Sequence, residues 1–191
     1  MKRFALVSGL LALVAPLALA QTSTWIPDKA HSEVGFSVVH MSLARVRGHF
    51  GPISGKIMID ESNLTRSSVN MTIDVTGVDS GSSMRDNDLK SSNYFDVARY
   101  PTATFVSTGI VRHGQGYAVT GNLTLHGITK PVVLQVDSPV GPVDGMGGKQ
   151  HYGFLATTTI NRRDFGLGVS YPAKIVGDEV NLTIDLDVVK Q

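Results

Sequence analysis

Six histidines, a short acidic run and one arginine pair are the residues of this chain best equipped for chemistry. His31, His40 and His49 follow one another at nine-residue intervals, and His113, His126 and His151 lie in or beside turns. No two form the His-x-x-x-His spacing that puts both rings on one helix face, and the chain has no cysteine. Solvated or hydrogen-bonded histidines are therefore expected, and no metal centre. Asp86-Asn87-Asp88 opens like a calcium loop, but the sixth position is Ser91 rather than Gly and the twelfth is Val97 rather than Glu. Asp28, His31 and Ser32 are the residue types of a hydrolase triad. Neighbours on a strand point to opposite faces, which keeps the Ser32 hydroxyl away from the His31 ring, and no Gly-x-Ser-x-Gly elbow is present. Arg162-Arg163 ends an expected strand, so at least one guanidinium sits near a rim of the sheet system. There it holds a phosphate, carboxylate or polarised carbonyl, or stands as a rim charge paired with Asp164.

The elements that position these groups are legible as alternation. Val180-Asn181-Leu182-Thr183-Ile184-Asp185-Leu186-Asp187-Val188 alternates apolar and polar residues without a break. Val69 to Thr76 does the same, and Tyr117 to Leu125 and Ile57 to Asp60 repeat the pattern with few departures. A period of two gives a strand one dry and one wet face. Further strands are expected over Ser32–His40, Arg45–Phe50, Thr102–Val111, Pro131–Asp137 and Tyr152–Arg162. His113-Gly114-Gln115-Gly116 turns one hairpin. The alternation stops between Ser83 and Tyr94, where Ser83 and Asp86 suit the start of a short helix. Ser138 to Gln150, rich in glycine and proline, is expected to be an irregular loop.

The first twenty residues read as a secretory signal. Lys2 and Arg3 precede an apolar run from Phe4 to Leu17, and Ala18-Leu19-Ala20 gives a small-x-small cleavage pattern before Gln21. Residues 21–191 are then one domain, placed in a bacterial periplasm. Without Lys2 and Arg3 the 17 basic residues fall to 15, against 16 acidic ones. That balance gives no footprint for a nucleic-acid partner. With no cysteine, stability comes from packing and strand closure rather than disulfides. Eight or more strands and few helices indicate an all-β antiparallel barrel or a two-sheet sandwich, which alternation does not separate.

Several phrases recur together. They are Trp25-x-x-Asp28-x-x-His31-Ser32-x-Val34-x-Phe36-x-Val38-x-His40-Met41, then Val46-Arg47-Gly48-x-Phe50, then Leu89-Lys90-Ser91 continuing through Tyr94-Phe95-Asp96 to Tyr100-Pro101-Thr102-Ala103-Thr104-Phe105. Gly121-Asn122-Leu123-Thr124-Leu125-His126-Gly127-Ile128-Thr129-Lys130-Pro131 and Asn161-Arg162-Arg163-Asp164-Phe165-Gly166 complete the set. In this order the phrases resemble the YceI-like family of exported lipid-binding proteins. The resemblance implies a lipocalin-like, eight-stranded antiparallel β-barrel with a short helical insertion. It further implies a soluble carrier that is not an enzyme and needs no cofactor. Its partner would be an amphipathic lipid, a polyisoprenoid or isoprenoid quinone or a fatty-acid-like molecule, and its contact with a membrane no more than transient.

In such a barrel the dry faces line the lumen: Val34, Phe36 and Val38; Ile57 and Ile59; Met71, Ile73 and Val75; Phe105; Leu123 and Leu125; Leu182, Ile184 and Leu186. Few are aromatic, which suits a flexible aliphatic tail. Burying about ten methylene equivalents is worth roughly 8 kcal/mol before ordering costs, enough for useful binding without an elaborate polar site. His40, Arg47 and Arg162 are the expected head-group end. Two other readings stay open: an isomerase or esterase acting on a lipid-like substrate through His31, His40 or Ser32, and a solid-cored stress-response protein that makes contact through Ser138–Gln150.

Overall fold

A computed structural model describes residues 22–191, and the expected leader, residues 1–20, lies outside the described residues. The alternating segments form strands that close on themselves. In chain order they are β1 (Thr22–Pro27), β2 (Glu33–His40), β3 (Ala44–His49), β4 (Ile53–Asp60) and β5 (Ser68–Asp74), then one helix, α1 (Ser83–Lys90). After it come β6 (Thr102–His113), β7 (Gly116–Leu125), β8 (Ile128–Val136), β9 (Val140–Asp144), β10 (Gln150–Asn161) and β11 (Val176–Lys190).

The eleven strands make eight staves, because three staves are broken. β11 pairs along one edge with β10, from His151 opposite Val189 to Asn161 opposite Glu179. Along its other edge it pairs first with β1, Pro27 opposite Val188, and then with β2, Glu33 opposite Asp185. β1 and β2 are thus one stave interrupted at residues 28–32. β3 lies on β2 and β4 on β1, so these two form a second broken stave. β8 and β9 form a third, each pairing a different part of β10. With β5, β6 and β7 in sequence the result is a closed, eight-stranded antiparallel barrel carrying one short helix. Closure removes the unpaired edges that an open sheet would present.

One expectation is corrected here, and one strand is added to those expected. Ser138–Gln150 is not an irregular loop: β9 runs through it and pairs with β10, with Val143 opposite His151. Its glycines and prolines are edge-strand features, since the chain passes close to β10 at Gly141, where a Cβ would sit 2.7 Å from the His151 carbonyl. Thr22–Pro27, too short and mixed to be read from alternation, is a strand and brings the fully buried Trp25 into the interior.

At the end of the barrel holding the β4–β5 connection, Trp25 meets Tyr152 edge to face, with ring centroids 5.0 Å apart, and Ile59 and Val188 pack around them. At the opposite end α1 lies across the opening. The helix is polar, with Leu89 its apolar contact to the interior. It is fastened instead through Ser80, whose N–H donates to Asp86 Oδ1 at 2.8 Å and whose hydroxyl accepts from Arg85 Nε at 2.7 Å. The Ser80 hydroxyl also donates to Asp86 and is the main reason that carboxyl is held below the usual range.

Candidate functional site

The inward faces of the staves do not fill the barrel. A cavity of about 210 Å³ extends from the middle of the bore to the α1 end. A second of about 90 Å³ continues toward the Trp25 end. Val69, Leu134, Ile184 and Leu186 belong to both walls, so the two are lobes of one bore. The larger lobe alone exceeds the roughly 150 Å³ apolar cavity that accommodates benzene in another protein. The solid-cored reading does not survive this geometry.

The large lobe is walled by Val34, Phe36, Val38, Met71, Ile73, Val75, Phe105, Leu123, Leu125 and Leu182. Ile57 and Ile59 wall the small lobe, and Ile184 and Leu186 face both. Strand pleat is the cause: each inward position is two residues from the next. One chain of aromatic rings stands where a stave is broken. Phe36, Phe50 and Phe95 form it, with centroids 5.3 and 5.5 Å apart, beside β3, whose outer edge bridges to Asp79 through His49. Gly48 is required there, because a Cβ would lie 2.5 Å from the Asp79 carbonyl and 2.6 Å from Phe36.

Polar groups face the bore mainly at the α1 end. His40, the last residue of β2, lines the large lobe, as do Arg85 and Asp88 of α1. Asp88 also receives a long hydrogen bond from the Tyr171 hydroxyl at 3.5 Å. Tyr94 stacks on Tyr171 with centroids 5.5 Å apart, and burial pushes its phenol up to about 12. Arg85 and Asp88 were not legible as site residues, since α1 lacks the apolar periodicity that would show which face turns inward.

Of the other two head-group expectations, Arg47 is corrected, and Arg162 lines the large lobe with its donors already engaged. Arg47 lies on the outer face of β3, exposed, while its neighbour Val46 lines the bore. Arg162 is only 2% exposed and has every N–H engaged by a backbone carbonyl. Nε donates to Gly177 O, Nη1 to Leu167 O and Gly168 O, and Nη2 to Tyr171 O and Val176 O. Asp178 Oδ1 stands 2.8 Å from Nη2. A guanidinium with five donors in five bonds anchors the 166–177 segment and has none left for a ligand. Arg163 binds the same segment and pairs with Asp178, not Asp164.

The Asp28, His31 and Ser32 group works as a splice. The Ser32 hydroxyl donates to Asp187 O at 2.9 Å and accepts from Asp187 N–H at 3.1 Å, holding the broken stave against β11. His31 Nδ1 lies 3.3 Å from Asp28 Oδ2, and His151 Nδ1 lies 2.7 Å from Asp187 Oδ1. One donor atom each from Asp28, His31 and Asp187 falls within 4.8 Å of the others, but His31 is largely exposed. Among the described residues no helix is long and apolar enough to cross a membrane.

A family model described as YceI-like domain matches residues 25–188. A UPF0312 protein of Vibrio parahaemolyticus is 35% identical over 186 residues, covering 95% of this chain and 97% of that one. The crystal structure of the Campylobacter jejuni YceI protein superposes with a TM-score of 0.72 at 30% identity, over 86% of this chain and 96% of that chain. A polyisoprenoid binding domain from Saccharophagus degradans shares the fold, with a TM-score of 0.63 at 16% identity over 90% of this chain and 100% of the other.

Proposed function

The chain belongs to the YceI-like family, and from that premise we propose that it is a soluble periplasmic carrier which holds one long amphipathic lipid in its bore. The observation that carries the reading is the large lobe, about 210 Å³ of space walled almost wholly by aliphatic and aromatic side chains. Such a space excludes water and rewards any tail that enters it. A polyisoprenoid or isoprenoid quinone fits best, and a fatty-acid-like chain is the simpler alternative. The polyisoprenoid binding domain of Saccharophagus degradans supports this choice as a fold neighbour. The tail lies along the bore toward Trp25, and the polar head stays at the α1 end, where His40, Arg85 and Asp88 offer both donors and acceptors.

No catalytic step is part of this reading. Ser32 is committed to the Asp187 backbone, and the groups at the mouth suit recognition of a head. Export follows from residues 1–20, with cleavage after Ala20 giving the working form. Protein purified without detergent is expected to yield, on solvent extraction and mass spectrometry, an isoprenoid amphiphile near one equivalent per chain. Extracts free of lipid, together with failure to take up a polyprenyl phosphate or quinone added during refolding, would end the proposal.

A further inference from the structure

The α1 end carries apolar side chains that cover nothing. Leu43, at the tip of the β2–β3 hairpin, is 86% exposed, and Met84, in the first turn of α1, is 84% exposed. Met41 and Val169 add 51% and 57%. They lie on three segments that the structure ties together around the mouth. The Met41 N–H donates to Ile175 O at 2.9 Å, joining the hairpin to the 166–175 segment. The Gly168 N–H donates to Asn93 O at 2.8 Å, and Tyr171 reaches Asp88, joining that segment to the helix. All three segments contribute to the wall of the large lobe, through Val46, Arg85 and Leu167.

Exposed cations flank these side chains. Arg45 and Arg47 stand exposed beside the tip and Lys174 beside Ile175, and among the described residues none of the three is in an ion pair. Of the nearby carboxylates, Asp178 is engaged by Arg162 and Arg163 and Asp86 by Ser80, while Asp88, Asp164 and Glu179 stand without an ion pair among the described residues. Isolated exposed apolar residues need no explanation, but several on adjoining segments at one rim, edged by free cations, do. A protein surface as partner would require a fitted groove, whereas a hairpin tip and a helix end protrude. Protruding apolar tips with a basic flank match the interface of an anionic bilayer.

We propose that Leu43, Met84, Met41 and Val169 dip into the surface of an anionic membrane, with Arg45, Arg47 and Lys174 against its head groups, so that the mouth of the bore opens directly onto the lipid layer. This rests on the carrier reading, since a tail that passes from bilayer to bore at such a contact never crosses water. Contact is brief, because few side chains enter.

The test compares the protein, expressed as the full chain and with its N-terminus read by mass spectrometry, with Leu43→Asp/Met84→Asp and with Arg45→Glu/Arg47→Glu/Lys174→Glu. Both sets lie on exposed positions, and an aspartate at residue 84 suits the first turn of α1. Sedimentation uses vesicles of phosphatidylcholine alone and with 30% phosphatidylglycerol, a composition set only for the assay. The expected result is binding to the anionic vesicles that falls with added salt, drops about tenfold or more in either variant, and leaves bound lipid per chain unchanged. Equal binding by parent and variants, or no binding by the parent to either vesicle, overturns the docking surface. A parent that is dimeric by light scattering, with variants that are monomeric, overturns it too by assigning the patch to a second copy. Protein that binds vesicles as expected but never carries a lipid would instead overturn the carrier reading alone.

Discussion

At the Trp25 end, rings fill the bore beneath ion pairs at the surface, while at the α1 end the same staves enclose open space. Trp25 donates to Ser23 Oγ at 2.7 Å and lies under the Lys190 ammonium, which is 5.4 Å from its ring centroid and 2.8 Å from Glu61. Asp60, wholly buried, accepts from the Ser62 and Asn63 N–H groups and from Arg66 Nε at 2.8 Å. Across the barrel, the α1 end relies on Arg162 to hold a long segment through its carbonyls, and on a polar helix fastened by Ser80 and Asp86. One end is a packed plug; the other is a frame around an opening. Both arise from one repeating pleat, so the difference lies in what the connections between staves contribute.

The largest effect that would break this contrast is expected from Arg162→Ala. Five carbonyls lose a donor at once, two of them fully buried, and a loss of about 3–5 kcal/mol should appear in urea unfolding. Arg162→Lys should recover little of it, because an ammonium has three donors where a fork of five is needed. A mild phenotype in the alanine variant would mean the frame does not depend on this arginine.

Occupancy should differ between the lobes by the next largest margin. Leu182→Trp narrows the large lobe and is expected to lower copurifying lipid about tenfold, while Leu64→Trp on the small lobe should change it less than about twofold. Equal losses would erase the distinction between mouth and plug.

Sequence and structure part company along the same division. The alternation at Ile57–Asp60, Val69–Thr76 and Val180–Val188 shows which side chains turn inward, because a strand face depends on neighbours two residues away. Leu182 is therefore placed before any coordinate is known. Arg85, Asp88 and Arg162 are not. Their roles depend on a polar helix lying over one opening and on a segment fifteen residues downstream folding back, and neither leaves a period in the chain. Pro27 and the glycines after Ser138 hid strands for a related reason: their composition is that of turns, and only the partner strand shows otherwise.

Smaller effects appear with pH. At the plug, the Ser62 hydroxyl, with the Asn63 N–H and Arg66, holds the Asp60 carboxyl below its ordinary value. Its contribution is present above the unfolded carboxylate range and lost as pH falls through the folded value. Asp60→Asn should lower the urea midpoint at neutral pH and flatten its decline in acid. At the frame, burial raises the Tyr94 phenol from 10.0 to about 12, so its contribution is whole below pH 10 and disappears as pH climbs to about 12. Tyr94→Phe should remove part of that alkaline loss, as followed by thermal melts between pH 9 and 12.

One hydrogen bond at the plugged end has a further consequence. The Gln191 N–H donates to Thr24 O at 2.9 Å, so the last residue of the chain lies against its first strand. In a chain trimmed to residues 22–191, a short peptide link from Gln191 to Thr22, with new termini cut into the His113–Gly116 turn, would give a circular permutant with every stave pairing intact. Link and new termini would lie at the end of the barrel that holds Trp25, leaving the far rim unobstructed for tethering the barrel to a bead or sensor surface by its base.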